Sequence, residues 1–249
     1  MNNSKTVIIT GGTKGIGKGI AKAFKNEGYN VVICSRNDNG FAKEIGVTFV
    51  KTDVTKEKEV AALFDKTISM FGKIDTVINN VGLSYWCPIE NVEENFLDNM
   101  LAVNLKSVFF VCKYAAKYLK AGSTVLNISS MAGKRGSTNN SVYCACKFGV
   151  NGLTQSAAKE LGPKGIRVLA LCPVMVRTEG LEEALQKQYS PAQGMELSKF
   201  LEKFKANNAA LDHLPTAEEV GNFCVFLASD KASALTGQCI NIDCGVFPQ

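Results

Sequence analysis

The stretch Thr6-Val7-Ile8-Ile9-Thr10-Gly11-Gly12-Thr13-Lys14-Gly15-Ile16-Gly17 decides how the rest of the chain is read. Its first half is β-branched and apolar, as in a buried strand, and it passes directly into a glycine-rich turn. Beyond the turn Ile20, Ala21, Ala23 and Phe24 recur at helical spacing. Strand, glycine turn and helix together form the context in which a main chain cradles an anion. Gly11 permits the tight turn and Gly15 lets the backbone approach a pyrophosphate. Gly17 lets the helix lie close on the strand while its N-terminal amides face the negative charge.

The same alternation continues outward. Apolar runs at residues 31–34, 48–50, 76–78, 124–128, 168–171 and 239–242 are separated by amphipathic segments at 18–27, 57–71, 93–120, 141–161 and 216–228. The interval between the second and third strands is cramped, so its helix should be short or irregular. Counting residues 6–9, about seven strands alternate with helices. This predicts one α/β domain with a parallel, doubly wound sheet of Rossmann type spanning 1–249. Residues 179–214 break the rhythm, with a helix expected over 181–189, a break at Ser190-Pro191-Ala192-Gln193-Gly194 and a second helix over 197–207. An excursion of this length is expected to be a lid over a substrate. Leu181, Leu185, Tyr189, Met195, Leu197 and Phe200 would form its apolar inner face, with Tyr85, Trp86 and Cys87 as the facing wall.

Composition narrows the function classes. The 28 basic residues are interleaved with 23 acidic ones for a net charge of +5, without a basic tract, so no nucleic-acid partner is expected. No window approaches the ~20 apolar residues of a membrane span, and Met1-Asn2-Asn3-Ser4-Lys5 leads straight into the first strand with no leader pattern. Cytoplasmic residence without a membrane partner is the expectation. The nine cysteines are odd in number, and Cys34, Cys87, Cys112, Cys172, Cys224 and Cys239 lie in apolar stretches, which fits small buried hydrophobes. Cys144 and Cys146 are spaced too closely for a zinc or redox pair, and no metal is expected. His213 is the single histidine, which removes mechanisms of the Ser-His-Asp kind.

The chemistry is carried by Ser141-Val142-Tyr143-Cys144-Ala145-Cys146-Lys147, with Ser130 thirteen residues before Tyr143 at the end of an apolar run. A phenol loses its proton near pH ~10, so it serves as acid or base at neutral pH only beside a group that stabilises the phenolate. Helical spacing sets the Lys147 ammonium on the face of Tyr143. Ser130, arriving from the strand end, could hydrogen-bond the oxygen whose proton Tyr143 gives or takes. The trio reads as a proton-transfer device for a carbonyl/alcohol pair.

With its glycines spaced Gly-x-x-x-Gly-x-Gly, the chain resembles the short-chain dehydrogenase/reductase family over essentially its full length. The family's motifs occur in order: residues 10–17, Asp53-Val54, Asn79-Asn80-Val81-Gly82, Asn104, Ser130, Tyr143-x-x-x-Lys147, then Pro173-Val174-Met175-Val176-Arg177-Thr178. Val81 and Val174 depart from the usual Ala and Gly without removing a polar group. The resemblance implies that Tyr143 is the general acid and that Lys147 lowers its pKa and holds the nicotinamide ribose. It also implies that Ser130 orients the carbonyl and that Asn104 supports a proton relay through water. It assigns cofactor contacts to Gly11, Thr13, Lys14, Gly15, Ile16, Gly17, Ser35, Arg36, Asp53, Val54, Asn80, Val176 and Thr178, in addition to Tyr143 and Lys147. Asp53 would meet the adenine, Asn80 the adenosine ribose, and Val176 and Thr178 the carboxamide. Ser35 stands where an acidic residue would bind the ribose hydroxyls of NAD, and Arg36 and Lys14 add two cations there, which favours NADP(H).

Within the family the pattern is similar to hydroxysteroid dehydrogenases and carbonyl reductases, implying a lipophilic or steroid-like ketone or secondary alcohol. One alternative is a 3-oxoacyl-thioester reductase of fatty-acid synthesis, although Leu83-Ser84-Tyr85-Trp86-Cys87-Pro88 lacks the charge of a carrier-protein docking segment. The other is a non-catalytic dinucleotide sensor or scaffold, against which the intact Ser130, Tyr143 and Lys147 argue. Val108-Phe109-Phe110-Val111 carries apolar residues on more than one helical face, so a homodimer or homotetramer is expected.

Overall fold

The computed structural model describes residues 4–248; Met1-Asn2-Asn3, read from the sequence as leading directly into the first strand, lies outside them. Seven strands form one parallel sheet in the order β3-β2-β1-β4-β5-β6-β7. They are β1 Thr6–Thr10, β2 Asn30–Ser35, β3 Thr48–Lys51, β4 Thr76–Asn79, β5 Thr124–Ile128, β6 Arg167–Pro173 and β7 Cys239–Ile242. The central strands are apolar without alternation because helices cover both faces of a parallel sheet. Val7 pairs with Val31 on one side and with Thr76 on the other. The chain winds outward from β1 to β3 and then returns to place β4 on the other side of β1. That reversal opens a crevice at the carboxyl ends of the strands.

One face is covered by α1 (Gly15–Asn26), α2 (Phe41–Ile45) and α9 (Ala217–Ala228), which bury Ile20, Phe24, Phe41, Val220 and Leu227 against the sheet. On the other face lie α3 (Glu57–Phe71), α5 (Ser107–Tyr118) and α6 (Ser141–Leu161), with Leu63, Phe64, Val111 and Val150 in the core. α1 and α9 cross at glycines: a Cβ on Gly19 would stand 2.3 Å from the Ala217 carbonyl oxygen. α2 has only five residues, as the cramped second crossover requires.

The segment read as one long helix over 93–120 is α4 (Glu94–Leu101) joined to α5 by a π-helical turn, Ala102–Lys106. Such turns replace i→i+4 bonds by i→i+5 and occur often at functional sites. α7 (Glu179–Leu185) starts earlier and stops earlier than the apolar spacing suggested. The Thr178 hydroxyl accepts from Leu181 N at 3.2 Å and so caps its start, and the Ser190 hydroxyl takes the Leu185 carbonyl at 2.5 Å and draws the chain out of the helix. α8 (Leu197–Asn208) follows. No described helix is long and apolar enough to cross a membrane.

Under the crevice runs a buried amide network. Asn79 on β4 donates to Asn127 Oδ1 on β5 at 2.8 Å, and Asn127 donates to Thr154 Oγ1 on α6 at 2.9 Å. Thr154 returns its proton to the Val150 carbonyl at 2.8 Å.

Candidate active site

The crevice is a cleft of about 950 Å³ lined from the ends of β1 through β6, near the top of the roughly 300–1,000 Å³ range of small-molecule sites. Every cofactor position expected from the sequence lines it except Gly17. Gly17 lies beneath the turn, where a Cβ would come 2.2 Å from the Gly11 carbonyl oxygen. Gly11 and Gly15 have φ of +65° and +54°, in the left-handed region that side chains disfavour. A Cβ on Gly12 would press to 2.6 Å from Ile33. The turn is therefore closed against β2 beneath and open toward the cleft, a cradle that fits a pyrophosphate. Asn80 has a further task. Its side chain donates to the Thr10 and Gly11 carbonyls at 3.0 and 3.2 Å, tying the end of β4 to the turn.

At the far end of strand β2, Ser35 donates to the Asn37 carbonyl at 2.6 Å, while Arg36 and Lys14 line the cleft. Asp53 shares this end. Burial acts to raise its pKa but is outweighed by hydrogen bonds from Thr55 and by the nearby Lys56 and Arg36, which hold it below the usual carboxylate value.

Ser130, Tyr143 and Lys147 meet in the middle of the cleft. Ser130 closes β5 and caps the short turn Met131–Gly133, its hydroxyl accepting from Ala132 N at 3.1 Å. That turn is pressed onto α6, since a Cβ on Gly133 would lie 2.7 Å from the Lys147 carbonyl oxygen. The hydroxyls of Ser130 and Ser84 are neighbours of the Tyr143 phenol and act to lower its pKa. Lys147 Nζ sits 5.6 Å from the Tyr143 ring centroid and donates to the Ile128 carbonyl at 2.9 Å.

Burial pushes the Tyr143 phenol up to about 12 despite the Ser130 and Ser84 hydroxyls, and Lys147 is not among the groups that offset it. The same burial pushes Lys147 down to about 8. The protein's own groups thus keep Tyr143 protonated at neutral pH, the form in which a phenol donates to a carbonyl oxygen.

Asn104, expected in a water-linked relay, is fully buried in the π turn. Its Oδ1 accepts from Leu83 N at 2.9 Å and its Nδ2 donates to the Met100 carbonyl at 3.0 Å. Its side chain is therefore engaged in holding the loop after β4. Both Asn104 Oδ1 and Lys147 Nζ face Gly82, where a Cβ would meet them at 3.2 and 3.6 Å.

Within residues 179–214, Leu185, Ala192 and Leu201 form a small core with Leu181, Leu197, Phe200 and, from the loop after β4, Trp86. Leu181 and Phe200 also line the cleft, joined by Phe204 and Met175, and from the expected facing wall Tyr85 and Trp86 do so. Of the expected inner face, Met195 is 41% exposed and Tyr189 turns its hydroxyl to Asn91 Nδ2 at 3.4 Å. The Tyr85 hydroxyl donates to Glu183 at 3.3 Å, linking the loop after β4 to α7. Cys34, Cys112, Cys172 and Cys224 are buried as expected, whereas Cys87 and Cys239 are half-buried. Ser84, Arg135 and Asn140 also line the cleft and had no sequence signal, since each is a polar residue in an irregular segment; Glu183 lines it from α7, where a glutamate on an amphipathic helix reads as an ordinary solvated residue.

The chain matches the family described as "Enoyl-(Acyl carrier protein) reductase" over residues 11–247. It is 32% identical to a 3-oxoacyl-(acyl-carrier-protein) reductase of Chlamydia muridarum, over 98% of this chain and 97% of that one. It is 33% identical to an (S)-acetoin-forming diacetyl reductase of Staphylococcus epidermidis, over 98% of both. Among solved structures, the ligand-free aldohexose dehydrogenase of Thermoplasma acidophilum superposes with a TM-score of 0.88 at 30% identity, over 99% of this chain and 98% of that one. An actinorhodin polyketide ketoreductase with NADPH does so with a TM-score of 0.89 at 27% identity and the same coverage. Sheet order, glycine cradle and the likeness along the whole chain lead to one assignment: the protein belongs to the short-chain dehydrogenase/reductase family, as an oxidoreductase of the ketone/alcohol type using a nicotinamide cofactor.

Proposed function

We propose that the protein interconverts ketones and secondary alcohols with NADP(H), acting on substrates with an apolar, steroid-like or otherwise lipophilic body. The observation that carries this reading is the meeting of Ser130, Tyr143 and Lys147 in the cleft that begins at the glycine cradle. A bound nicotinamide supplies or accepts the hydride. The chain's own residues do the rest. The Tyr143 phenol gives its proton to the carbonyl oxygen in reduction, Ser130 holds that oxygen, and Lys147 balances the charge left on the phenol. Asn104 acts by fixing Leu83 and, with it, the loop that carries Ser84. Arg36 and Lys14 support the choice of NADP(H), because both are cations on the cleft wall and Ser35 brings no carboxylate. Trp86, Met175, Leu181, Phe200 and Phe204 support the apolar substrate body, with residues 179–214 as its lid. Half-exposed Phe109 and Phe148 on α5 and α6 support a homodimer or homotetramer.

A 3-oxoacyl-thioester reductase is the second reading, favoured by the activity of the Chlamydia relative. A panel of steroid ketones, small diketones and 3-oxoacyl thioesters, each assayed with NADPH and NADH, separates the two. Tyr143→Phe should keep the fold and the cofactor affinity while turnover drops by at least ~10²-fold. Wild-type rates in that variant would overturn the proposed chemistry, and tight NADPH binding with no turnover on any ketone would point to a sensor instead.

A further inference from the structure

We infer that the cleft selects substrates bearing an anionic group, carboxylate or phosphate, at a distance from the reacting carbonyl, and that Arg135 is the residue that receives it; this rests on the ketone/alcohol reading above. Arg135 lies in the loop between Ser130 and Tyr143, is exposed and lines the cleft. Its guanidinium stands over the Phe247 ring, 5.0 Å from the centroid. Phe247 is itself held. The Asp243 carboxylate accepts from Gly245 N at 3.0 Å and Phe247 N at 2.8 Å, and Asn241 Nδ2 donates to the Phe247 carbonyl at 2.9 Å. The Arg135 backbone is fixed as well, its N–H donating to the Met131 carbonyl at 3.1 Å.

An arginine stacked on an aromatic ring has lost freedom but keeps the edge of its fork for a planar oxyanion. Among the described residues no carboxylate lies within ion-pair distance of it. The acidic residue that shares the substrate region, Glu183, is engaged by the Tyr85 hydroxyl. The neighbouring Ser137 and Thr138 also line the cleft and offer hydroxyl donors. A solvated rim arginine would need no ring beneath it and no capped tail to hold that ring. Together with the apolar lining, this describes an amphipathic substrate with a ketone near Tyr143 and a negative charge at its other end.

The test compares methyl-ketone carboxylic acids of increasing chain length, each against its own methyl ester, with acetoacetyl-coenzyme A as the phosphate-bearing arm. The full-length protein is assayed with NADPH at low and high salt. The expected result is a preference in kcat/KM of about tenfold or more for the acid over its ester at one chain length, or a comparable salt-sensitive preference for the thioester. A carboxylate ligand gives the first and a phosphate ligand the second. That preference should fall by about tenfold in Arg135→Gln, reverse in Arg135→Glu, and be partly kept in Arg135→Lys, which retains the charge but not the fork. Phe247→Leu should weaken it with cofactor affinity intact. If acid and ester are reduced equally at every length and the thioester shows no salt dependence, or if the preference survives in Arg135→Gln, the inference is wrong while the oxidoreductase reading stands. If the wild type reduces no ketone at all, the reading beneath it fails.

Discussion

Burial moves Tyr143 and Lys147 in opposite directions, and this ties stability to pH at the level of a single residue. Lys147 falls from 10.5 to about 8 in the folded chain. Between these values the unfolded chain holds a proton that the folded chain does not, so stability rises with pH across that window. Below about 8 the folded chain bears the full cost of burying the ammonium. Melting curves should therefore show wild type gaining on Lys147→Met as pH climbs from about 8 toward 10.5, and a flat difference would contradict the shift. Above 10 Tyr143, raised to about 12, works the other way and stability falls. At the adenosine end, Arg36→Asp should weaken NADPH far more than NADH, because it replaces an attractive charge by a repulsive one. Equal losses in titrations with the two cofactors would remove the NADP(H) assignment. Of these residues Tyr143, Lys147, Ser130 and Arg36 were legible in the sequence, since each belongs to a spacing that chemistry demands. Arg135 and Ser84 were not, because what matters about them is which remote groups they meet: the Phe247 ring for one and the Tyr143 phenol for the other.

Among elements, α1 and α9 approach as closely as backbones allow. Gly19 meets the Ala217 carbonyl, and a Cβ on Gly221 would lie 2.7 Å from the Gly19 carbonyl oxygen. Gly19→Val should cost about 1–3 kcal/mol in urea unfolding, with part of the loss appearing as weaker cofactor binding, because α1 opens at the glycine cradle. Unchanged stability would mean that the helices part without cost. The strands were readable because a doubly covered sheet leaves unbroken apolar runs such as Val31-Val32-Ile33-Cys34. The π turn at Ala102–Lys106 was hidden, since Leu101, Ala102, Val103 and Leu105 are nearly contiguous and a one-residue shift of phase leaves no visible break in so apolar a stretch. α7 was misjudged at both ends for a similar reason. Its limits are set by the hydroxyls of Thr178 and Ser190, and apolar periodicity says nothing about them.

For the whole molecule, the exposed rings of Phe109 (57%) and Phe148 (48%) on α5 and α6 lead to an assembly prediction. Light scattering should give a dimer or tetramer, and a mass of 26.8 kDa at micromolar concentration would refute it. Phe148→Glu should shift the equilibrium toward smaller species, and an unmoved mass would place the interface elsewhere. The amides of Asn79 and Asn127, with the Thr154 hydroxyl, bear on a different question, how the chain finds the right partner for each strand. The apolar pairs between β4 and β5, Val77 with Val125 and Ile78 with Leu126, are alike in shape and covered by helices on both faces, so apolar burial alone distinguishes the register weakly. Asn79 stands opposite Asn127 in the native register. Any slip strands two amides in a dry interior, where each unmade bond costs about 1–3 kcal/mol. The amides thus proofread the pairing: they tell the central strands apart from their own misaligned copies, and they do so directly beneath the site whose geometry depends on the answer.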